Sequence, residues 1–427
     1  MCDVISAWIE GGSVVSEPAS LEARFGAANY APLPVTIVRG EGVYVWDESG
    51  RRYIDMMGAY SAVSFGHCHP RLVKALTLQA QRLDTISRAY FSDRLGPFLA
   101  RACSLTGMDA ALPMNSGAEA VETALKAARK WAYKVKGVRS DRAEIIAAED
   151  NFHGRTISIV GFSSVVQYRD GFGPFAPGFK LVPFGDAAAL AAAITPDTAA
   201  FLIEPIQGEG GINVPPPGYL SEVARICRAN NVLLLCDEIQ SGLGRTGRLL
   251  ACQHEGVQPD GLMLGKALGG GLLPVSLFLA RKEVMNVFTP GDHGSTFGGN
   301  PIAAAVGLAA LDTLIEEQLV ENAAAVGAHL LRRLASIDNP IIREVRGRGL
   351  FAGVELHRNM ADAGVLVRRL LQVGVLTRDT HRNTIRLAPP LIINESQVDW
   401  AVDRLTEVLE EAAALSVQAQ HEKEASG

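Results

Sequence analysis

The segment "NVLLLCDEIQSG", residues 231–242, places two acidic residues directly after one of the most apolar runs of the chain. Residues 232–236 are continuously apolar, which is typical of a strand covered on both faces in a parallel α/β sheet. Open α/β sheets bind ligands at the carboxyl ends of their strands. Asp237 is therefore a candidate ligand-binding residue, although an acid at this position could instead cap a helix or pair with an arginine.

Helical stretches alternate with short apolar runs from about residue 71 to residue 310, which predicts a large, mainly parallel α/β domain. The runs span 144–148, 199–203, 232–236, 261–264 and 276–280. Residues 42–56 alternate around a Glu-Ser-Gly turn and predict a hairpin. Helices and strands after residue 307 predict a smaller α+β domain. We therefore expect an N-terminal arm and hairpin at 1–60, a large domain at 61–306 and a small domain at 307–427.

Composition describes an ordinary globular protein with a net charge of −6 over 427 residues. This balance does not suggest nucleic acid or a membrane surface as a partner. No apolar stretch approaches the ~18 residues of a membrane span. The first basic residue is Arg24, whereas leader peptides carry early positive charge, so none is expected. The six cysteines contain no C-x-x-C pair and are interpreted as reduced thiols of a cytoplasmic protein.

The segment "PDGLMLGKALGGG", residues 259–271, ends a short apolar strand with Lys266 among four glycines. The segment is not a Walker A loop, because its spacing fails and Ala267 stands where serine or threonine is needed. Lysines at strand ends are usually solvated surface residues. A desolvated lysine can instead form a Schiff base, because burial lowers its pKa and frees the amine. Pyridoxal phosphate (PLP) chemistry needs such a lysine and an acid facing the pyridinium nitrogen, and Lys266 and Asp237 could supply both.

The segment "MNSGAEAVETALKAARKWAYKVKG", residues 114–137, predicts a helix that could bind a phosphate. Ser116 and Glu119 match a capping box, and Gly137 is a plausible end. Free N–H groups at Ser116, Gly117 and Ala118, together with the helix dipole, would favour an anion. The alternative is an ordinary well-capped helix.

Two further motifs are discounted. "GLGRTG", residues 242–247, fits the dinucleotide pattern G-x-G-x-x-G, but two carboxylates precede it and its first glycine comes too late after the strand. "GHCHP" places His67 and His69 two residues apart. No third ligand is evident, so we interpret this segment as a structural loop and expect no metal site.

Three other segments carry candidate binding residues. "NFHGRT" offers Phe152, which could stack on a ring, and Arg155. "EPIQGEGG" places Glu204 at a strand end and Glu209 among glycines. "NTIRLAPPL" places Arg386 in an otherwise apolar strand, where it needs a carboxylate partner from the protein or from a substrate.

Together these stretches resemble the class III, fold-type-I PLP-dependent aminotransferases, and within that class the ornithine δ-aminotransferases. The resemblance covers nearly the whole chain and is carried by these segments: "NYAPLPV", "YSAVSFGHCHP", "ETALKAARKWAYKVKG", "DGFGPFAPGF", "IEPIQGEGG", "DEIQSGLGRTGR", "GKALGGGLLPVS", "HGSTFGGNP" and "IRLAPPL". It implies an α/β fold with a mainly parallel seven-stranded sheet in the large domain and a smaller α+β C-terminal domain.

The resemblance implies a PLP site in which Lys266 holds the cofactor and moves the proton, while Asp237 keeps the pyridine nitrogen protonated. The other cofactor contacts it implies are Phe152 and Ile239 on the two ring faces, Gln240 at the phenolic oxygen, and Gly117 and Ala118 at the phosphate. Ser295 and Thr296 would reach the phosphate of the neighbouring subunit. A homodimer with shared active sites, or a higher oligomer, follows from that arrangement.

The resemblance also implies how two substrates share one pocket. Arg155 would bind the α-carboxylate of ornithine, with Tyr30 near its α-amino group and Tyr60 lining the pocket. Glu209 would pair with Arg386 in this half-reaction. With 2-oxoglutarate, Glu209 would move aside, so that Arg386 binds the α-carboxylate and Arg155 the γ-carboxylate.

One residue departs from the ornithine δ-aminotransferase pattern. His153 follows Phe152 at the position where ornithine δ-aminotransferases carry tryptophan. We expect this histidine to alter the shape of the substrate pocket. The predicted reaction is a ping-pong conversion of L-ornithine and 2-oxoglutarate to glutamate 5-semialdehyde, which cyclises to pyrroline-5-carboxylate, and L-glutamate. The alternatives are an aminotransferase for N-acetylornithine, lysine or 4-aminobutyrate, a PLP-dependent racemase or epimerase, and a nucleotide-dependent oxidoreductase.

Overall fold

A computed structural model describes residues 16–381 and 383–426, with side chains to residue 416. Residues 1–15 of the predicted N-terminal arm lie outside this description. The strands are β1 (Ile37–Glu41), β2 (Tyr44–Asp47), β3 (Arg52–Asp55), β4 (Ala110–Met114), β5 (Glu144–Ala148), β6 (Phe179–Val182), β7 (Thr198–Ile203), β8 (Leu233–Asp237), β9 (Gly261–Leu264), β10 (Ser276–Ala280), β11 (Ile342–Arg348), β12 (Phe351–Leu356), β13 (Val375–Leu376), β14 (Arg378–Thr380) and β15 (Thr384–Leu387).

Helices connect and cover these strands, and none of the described ones is long and apolar enough to cross a bilayer. They are α1 (Glu17–Phe25), α2 (Pro70–Ala80), α3 (Leu95–Thr106), α4 (Gly117–Trp131), α5 (Ile157–Val160), α6 (Val166–Arg169), α7 (Ala187–Ala193), α8 (Tyr219–Ala229), α9 (Lys282–Met285), α10 (Pro301–Glu316), α11 (Leu319–Ala335), α12 (Ala363–Gln372) and α13 (Glu395–Ser426). Short 3₁₀ helices span Ala251–Glu255 and Lys266–Gly269, and a π-helical turn (Ala132–Lys136) extends α4.

The central sheet has seven strands in the order β4-β10-β9-β8-β7-β5-β6, which confirms the predicted sheet. Only β10 runs antiparallel to its neighbours. Leu233 and Leu235 of β8 pack into the cluster that contains α4, whereas Leu234 and Cys236 pack into the core on the opposite face. Because both faces of β8 are covered, its continuous apolar run has the cause predicted from the sequence.

The smaller sheet, in the order β11-β12-β15-β14, is antiparallel. The N-terminal hairpin is joined to the C-terminal part of the chain, because β13 pairs in parallel with β3. The predicted boundary between residues 306 and 307 lies inside α10, so no break in secondary structure marks it. The division into three segments remains a prediction.

A left-handed turn (Gly58–Ser61) follows β3, with positive φ at all four residues. This conformation costs roughly 1–2 kcal/mol per non-glycine residue. Asp55 Oδ1 stabilises the turn by accepting hydrogen bonds from the N–H groups of Met57 and Gly58, each at 2.9 Å. A side chain at Gly58 would lie 2.7 Å from the carbonyl oxygen of Ala388, so glycine is required there. The turn carries Tyr60.

Candidate active site

Four neighbouring strands of the central sheet deliver polar side chains to one edge. Asp237 is the last residue of β8, and Lys266 follows β9 after a single glycine. Glu204 directly follows β7, and the segment carrying Phe152 comes after β5. Because β5, β7, β8 and β9 are parallel, their carboxyl ends meet at the same edge. This edge is where the sequence predicted a ligand site.

Asp237 is buried, and each of its carboxylate oxygens has one partner in the protein. Its Oδ1 accepts a hydrogen bond from the N–H of Ile239 at 3.0 Å, and its Oδ2 lies 2.7 Å from Nδ1 of His153. The sequence predicts that His153 shapes the substrate pocket. The structure instead places its imidazole behind Asp237, completely buried, with Nε2 lacking any partner among the described residues.

Burial and neighbouring charges shift the pKa values of His153 and Glu204. Although burial opposes its charged form, the hydrogen bond and charge of Asp237 and the charge of Glu204 raise the pKa of His153. Burial raises the pKa of Glu204 to about 7, with a further increase from Asp237 and an opposing effect of His153. Glu204 accepts hydrogen bonds from the N–H groups of Phe152 at 2.9 Å and Gly208 at 3.2 Å. The charge of Asp237 therefore raises the pKa of both His153 and Glu204.

Lys266 has the environment of a nucleophilic amine. Burial lowers its pKa to about 8, and the charge of Arg386 contributes, whereas Glu209 opposes this decrease. Its Nζ forms no hydrogen bond with any residue in the described part of the chain. The backbone has φ of 46° at this residue. A lysine with a lowered pKa and no partner is available for covalent chemistry at neutral pH.

The amino end of α4 forms a potential anion site beside these residues. The capping box of Ser116 and Glu119 is present, and the helix ends through its π-helical turn at Gly137, as predicted. One expectation was wrong: the N–H of Ser116 is not free, because it donates to Oε2 of Glu119 at 2.7 Å. The N–H groups of Gly117 and Ala118 remain, since the first helical N–H groups have no intrahelical acceptor.

Close packing fixes this helix end against the rest of the site. A Cβ atom on Gly154, where φ is +126°, would lie 2.8 Å from Cβ of Ala118. A Cβ atom on Gly117 would lie 3.0 Å from Cδ1 of Ile239. The backbone at Gly117 and Ala118 is therefore held directly against the Phe152 segment and the end of β8.

A second charged cluster lies next to Lys266. Nη1 of Arg386 lies 2.6 Å from Oε1 of Glu209, and only 1% of Arg386 is exposed. Gln240 bridges the pair: its Oε1 accepts from Nη2 of Arg386 at 2.8 Å, and its Nε2 donates to Glu209 at 3.2 Å. The Gln240 amide therefore contacts this ion pair in the structure. The charges of Arg386 and Lys266 lower the pKa of Glu209 although burial opposes this change.

The backbone of Glu209 is anchored independently of its side chain. Thr380 Oγ1 donates to the carbonyl oxygen of Glu209 at 2.5 Å. The Tyr60 ring lies on the other side of the cluster, with its centroid 5.4 Å from the guanidinium carbon of Arg386. Burial raises the pKa of Tyr60, and the charge of Glu209 adds to the increase. The backbone of Glu209 is thus held by a contact that does not involve its carboxylate.

Arg155 lies on an aromatic surface at the open side of the site. Its guanidinium carbon is 3.8 Å from the ring centroid of Tyr168 and 5.5 Å from that of Phe152. Among the described residues, Arg155 forms no ion pair with a carboxylate. Its N–H donors are available for an incoming anion.

The remaining predicted residues lie at the surface of the single chain. Tyr30 is 75% exposed, and Thr296 is exposed as well. Ser295 is partly buried, and its Oγ accepts hydrogen bonds from Nδ2 of Asn115 at 2.9 Å and from the N–H of Gly298 at 3.0 Å. These bonds hold the loop in which Thr296 is exposed.

These groups fit PLP. The site combines an unpaired amine of lowered pKa at Lys266, a buried carboxylate at Asp237 and unpaired helix N–H groups at Gly117 and Ala118. The unpartnered Nε2 of His153 lies behind the carboxylate. No described group of three histidine, cysteine, aspartate or glutamate side chains is placed to hold a metal ion.

Residues of the two discounted motifs have structural roles. His67 contacts Asp55 at 2.9 Å and His69 contacts Glu317 at 3.2 Å, so the two histidines point to different places. In "GLGRTG", a Cβ atom on Gly247 would lie 2.8 Å from Cα of Ala324. That glycine serves close packing against α11.

Sequence reasoning missed three residues that organise the site: Tyr168, which stacks on Arg155, Thr380, which anchors Glu209, and Arg245, which is fully buried. None is close in sequence to the residue that it contacts. Of the three, only Arg245 lies in a conspicuous motif, the glycine-rich segment at residues 242–247.

The chain is similar to known proteins over most of its length. The model of the family described as "Aminotransferase class-III" matches residues 25–409. An ornithine aminotransferase of Geobacillus sp. (strain WCH70) is 54% identical over 396 residues, which are 93% of this chain and 99% of the relative.

Solved structures are similar as well. An ornithine aminotransferase from Toxoplasma gondii, with partial occupancy of PLP at its active site, has a TM-score of 0.91 and 43% identity, covering 96% of this chain and 99% of that chain. An acetylornithine aminotransferase from Elizabethkingia anophelis has a TM-score of 0.83 and 44% identity, covering 92% and 98%.

Proposed function

This chain belongs to the class-III aminotransferase family, and from that premise we propose that it transfers the δ-amino group of L-ornithine to 2-oxoglutarate. The products are L-glutamate and glutamate 5-semialdehyde, which cyclises to pyrroline-5-carboxylate. The chain is a PLP-dependent aminotransferase, and its similarity to ornithine aminotransferases over nearly its full length supports ornithine as the donor.

The observation that carries the proposal is the buried ion pair between Glu209 and Arg386 beside Lys266. A free arginine there would bind the α-carboxylate of any amino acid and bring the α-amino group to Lys266. The ion pair removes that option, because the guanidinium is already satisfied by Glu209 and Gln240. A donor must then use Arg155 for its carboxylate, which brings the amine at the far end of the chain towards Lys266.

Residues at the sheet edge would hold the cofactor. Lys266 would bind it covalently, Asp237 would face the pyridine nitrogen, and the N–H groups of Gly117 and Ala118 would bind the phosphate, with Phe152 and Ile239 on the two ring faces. PLP, when bound, withdraws electrons from the amine-bearing carbon of the substrate. Lys266, freed when the substrate amine takes its place, would remove a proton from that carbon, and its lowered pKa favours the neutral amine that this step needs.

The acceptor half-reaction uses the same pocket with a different charge pattern. The carboxylate of Glu209 moves away from Arg386, while Thr380 keeps its backbone fixed. Arg386 binds the α-carboxylate of 2-oxoglutarate, and Arg155 binds the γ-carboxylate. Tyr60 packs against Arg386 in this role, and Tyr30 lies near the α-amino group of ornithine in the first one.

We also propose that His153 acts through Asp237 rather than through the substrate. Nδ1 of His153 lies 2.7 Å from Oδ2 of Asp237 and orients that carboxylate, which would stabilise a positive charge on the cofactor. This role is supported by the burial of His153 and by the raised pKa of its imidazole.

A homodimer and a cytoplasmic location complete the proposal. The dimer is supported by the exposed apolar side chains Tyr90, Phe91 and Phe297 and by the exposed Thr296, which would reach the phosphate of the neighbouring subunit with Ser295. The five described cysteines are all unpaired, as expected for a reducing compartment.

The test is product identity with purified enzyme, PLP and 2-oxoglutarate, offered ornithine, N-acetylornithine, lysine and 4-aminobutyrate in separate reactions. Pyrroline-5-carboxylate from ornithine, at a kcat/KM well above the other donors, is the expected result. A preference for N-acetylornithine would move the chain to the activity of the Elizabethkingia relative. Racemised donor without any keto-acid consumption would contradict transamination.

A further inference from the structure

Tyr168 has a close contact in the site that the reaction described above does not use. Its ring centroid lies 3.8 Å from the guanidinium carbon of Arg155. This separation is well within the ~6 Å over which a guanidinium is attracted to an aromatic face. Arg155 lies on the segment after β5, whereas Tyr168 lies on the short helix α6, so the contact joins two separate parts of the chain.

Stacking changes how Arg155 can meet a ligand. A guanidinium that rests on a ring through its face keeps its in-plane N–H donors free for a carboxylate. No described carboxylate competes for these donors. A free arginine side chain would have to lose its rotamer freedom on binding, which weakens the binding of a carboxylate. A stacked arginine has lost much of that freedom before the ligand arrives.

The Tyr168 ring is itself held on other sides. Its Oη lies 3.1 Å from Nε2 of His381, which follows β14. The Phe152 ring packs against it edge-on, with a centroid distance of 6.1 Å and an interplanar angle of 80°. Burial raises the pKa of Tyr168, with an opposing effect of Arg155, so the phenol stays neutral. Residues from both the central and the smaller sheet region thus define where Arg155 rests.

We propose that Tyr168 is a positioning residue that sets the selectivity of the enzyme for substrates with a carboxylate at the end of the molecule away from the reacting carbon. It acts by holding Arg155 in the orientation that binds the α-carboxylate of ornithine and the γ-carboxylate of 2-oxoglutarate. His381 supports it by fixing the phenol. This inference rests on the proposed function, because it assigns Arg155 the role given there.

The test compares substrates that carry the carboxylate bound by Arg155 with substrates that lack it. On the donor side, ornithine is paired with 1,4-diaminobutane, which has the same terminal amine without a carboxylate. On the acceptor side, 2-oxoglutarate is paired with pyruvate, which lacks the distal carboxylate. Each half-reaction of the holoenzyme is followed alone by its absorbance change, with wild type, Tyr168→Leu and Tyr168→Phe.

Tyr168→Leu should lower kcat/KM for ornithine and for 2-oxoglutarate by roughly tenfold, which lies within the range of a partly desolvated cation–π contact. The decrease should come mainly from KM, and the values for 1,4-diaminobutane and pyruvate should stay within about twofold. Tyr168→Phe keeps the ring and should restore most of the loss. Equal losses of kcat/KM for both members of each pair would overturn the proposal. An unchanged kcat/KM for ornithine and 2-oxoglutarate would overturn it as well.

A double-mutant comparison guards against general damage to the fold. In an Arg155→Ala background, Tyr168→Leu should cause no further loss of kcat/KM for ornithine, because the arginine through which Tyr168 acts is already absent. An additional tenfold loss there would contradict a role through Arg155. The proposed function fails differently: wild-type enzyme would then give no ornithine half-reaction at all.

Discussion

Single side chains at the sheet edge divide into two charged groups with Lys266 between them. On one side Asp237 is bound to His153, with Glu204 nearby. On the other side Glu209 is bound to Arg386. In the proposed function, the first group orients a carboxylate for the cofactor, and the second decides which carboxylate of a substrate can bind. Each group can therefore be changed without removing the other.

Replacing Glu209 with alanine should expose Arg386 to α-carboxylates. The kcat/KM for glutamate as amino donor should rise relative to that for ornithine by about tenfold or more, equivalent to at least ~1.4 kcal/mol. Half-reaction kinetics with each donor measure the ratio. Glu149→Ala is the matched control, since its side chain is exposed and the ratio should not change. An unchanged ratio in Glu209→Ala would show that the ion pair does not select the donor.

The lowered pKa of Lys266 predicts a pH dependence of stability in the cofactor-free protein. The pKa is about 8 in the fold against an ordinary value of 10.5, so the unfolded chain binds more protons between these two pH values. Stability must then rise with pH across this window, because the charged amine is unfavourable when buried. Lys266→Met lacks the charge and should raise the unfolding temperature more at pH 7 than at pH 10.

The control for this pH effect is Lys74→Met, which removes an exposed lysine from α2. Its effect on the unfolding temperature should be small and equal at the two pH values. A Lys266→Met effect that is also equal at pH 7 and pH 10 would mean that the amine is not desolvated before the cofactor binds.

Residues with chemical roles were easier to predict than residues that position them. Lys266, Asp237 and Arg386 stand out in sequence because charge follows or interrupts an apolar strand, and that conflict needs an explanation. Tyr168 is an ordinary aromatic residue in a loop-rich segment, and nothing local indicates that it packs against Arg155. Such contacts depend on how separate elements pack, which one sequence does not encode in a readable pattern.

At the scale of elements, the strand predictions succeeded where both faces are buried. Strands β5, β9 and β10 have the predicted bounds, β7 begins one residue before the predicted run, and β8 is displaced from its predicted run by one residue at both ends. Strands β4 and β6 were not anticipated. The sequence of β4 contains Pro113, and that of β6 contains Lys180, and both strands are only partly buried. A short, half-exposed strand lacks the apolar run that identifies a central one.

The two ends of α4 offer a matched test of its role in cofactor binding. Gly154→Ala should displace the amino end, because the new Cβ would meet Cβ of Ala118 at 2.8 Å. We expect the dissociation constant for PLP to rise about tenfold or more, since the phosphate depends on the N–H groups there. Titration of the cofactor-free protein with PLP, followed by absorbance, measures this directly.

Gly137→Ala at the opposite end of the same helical segment is the control. Its φ of +85° imposes a similar backbone cost, but nothing lies within 4 Å of the added atom. It should lower stability slightly and leave the affinity for PLP unchanged. Equal effects of the two substitutions on affinity would show that backbone strain, and not the position of the helix end, matters.

At the scale of the whole molecule, one buried arginine joins three parts of the chain around the site. Arg245 is fully buried, and its guanidinium donates to the carbonyl oxygen of Leu350 at 3.0 Å, to that of Pro389, and to Oγ of Ser64 at 3.0 Å. Ser64 follows the turn that carries Tyr60, and Pro389 follows the strand that carries Arg386. The relative position of these two substrate-site segments thus depends on a residue outside the pocket.

Arg245→Met should therefore disturb both stability and substrate binding. It leaves two buried carbonyl groups without donors, at a cost of about 1–3 kcal/mol each, and the unfolding temperature should fall by several degrees. The KM for 2-oxoglutarate should rise as well, because the segment with Arg386 loses its anchor. Arg248→Met, an exposed arginine of the same loop, should change neither quantity. A stable Arg245→Met enzyme with unaltered KM would mean that the small-sheet region holds the site in place without this link.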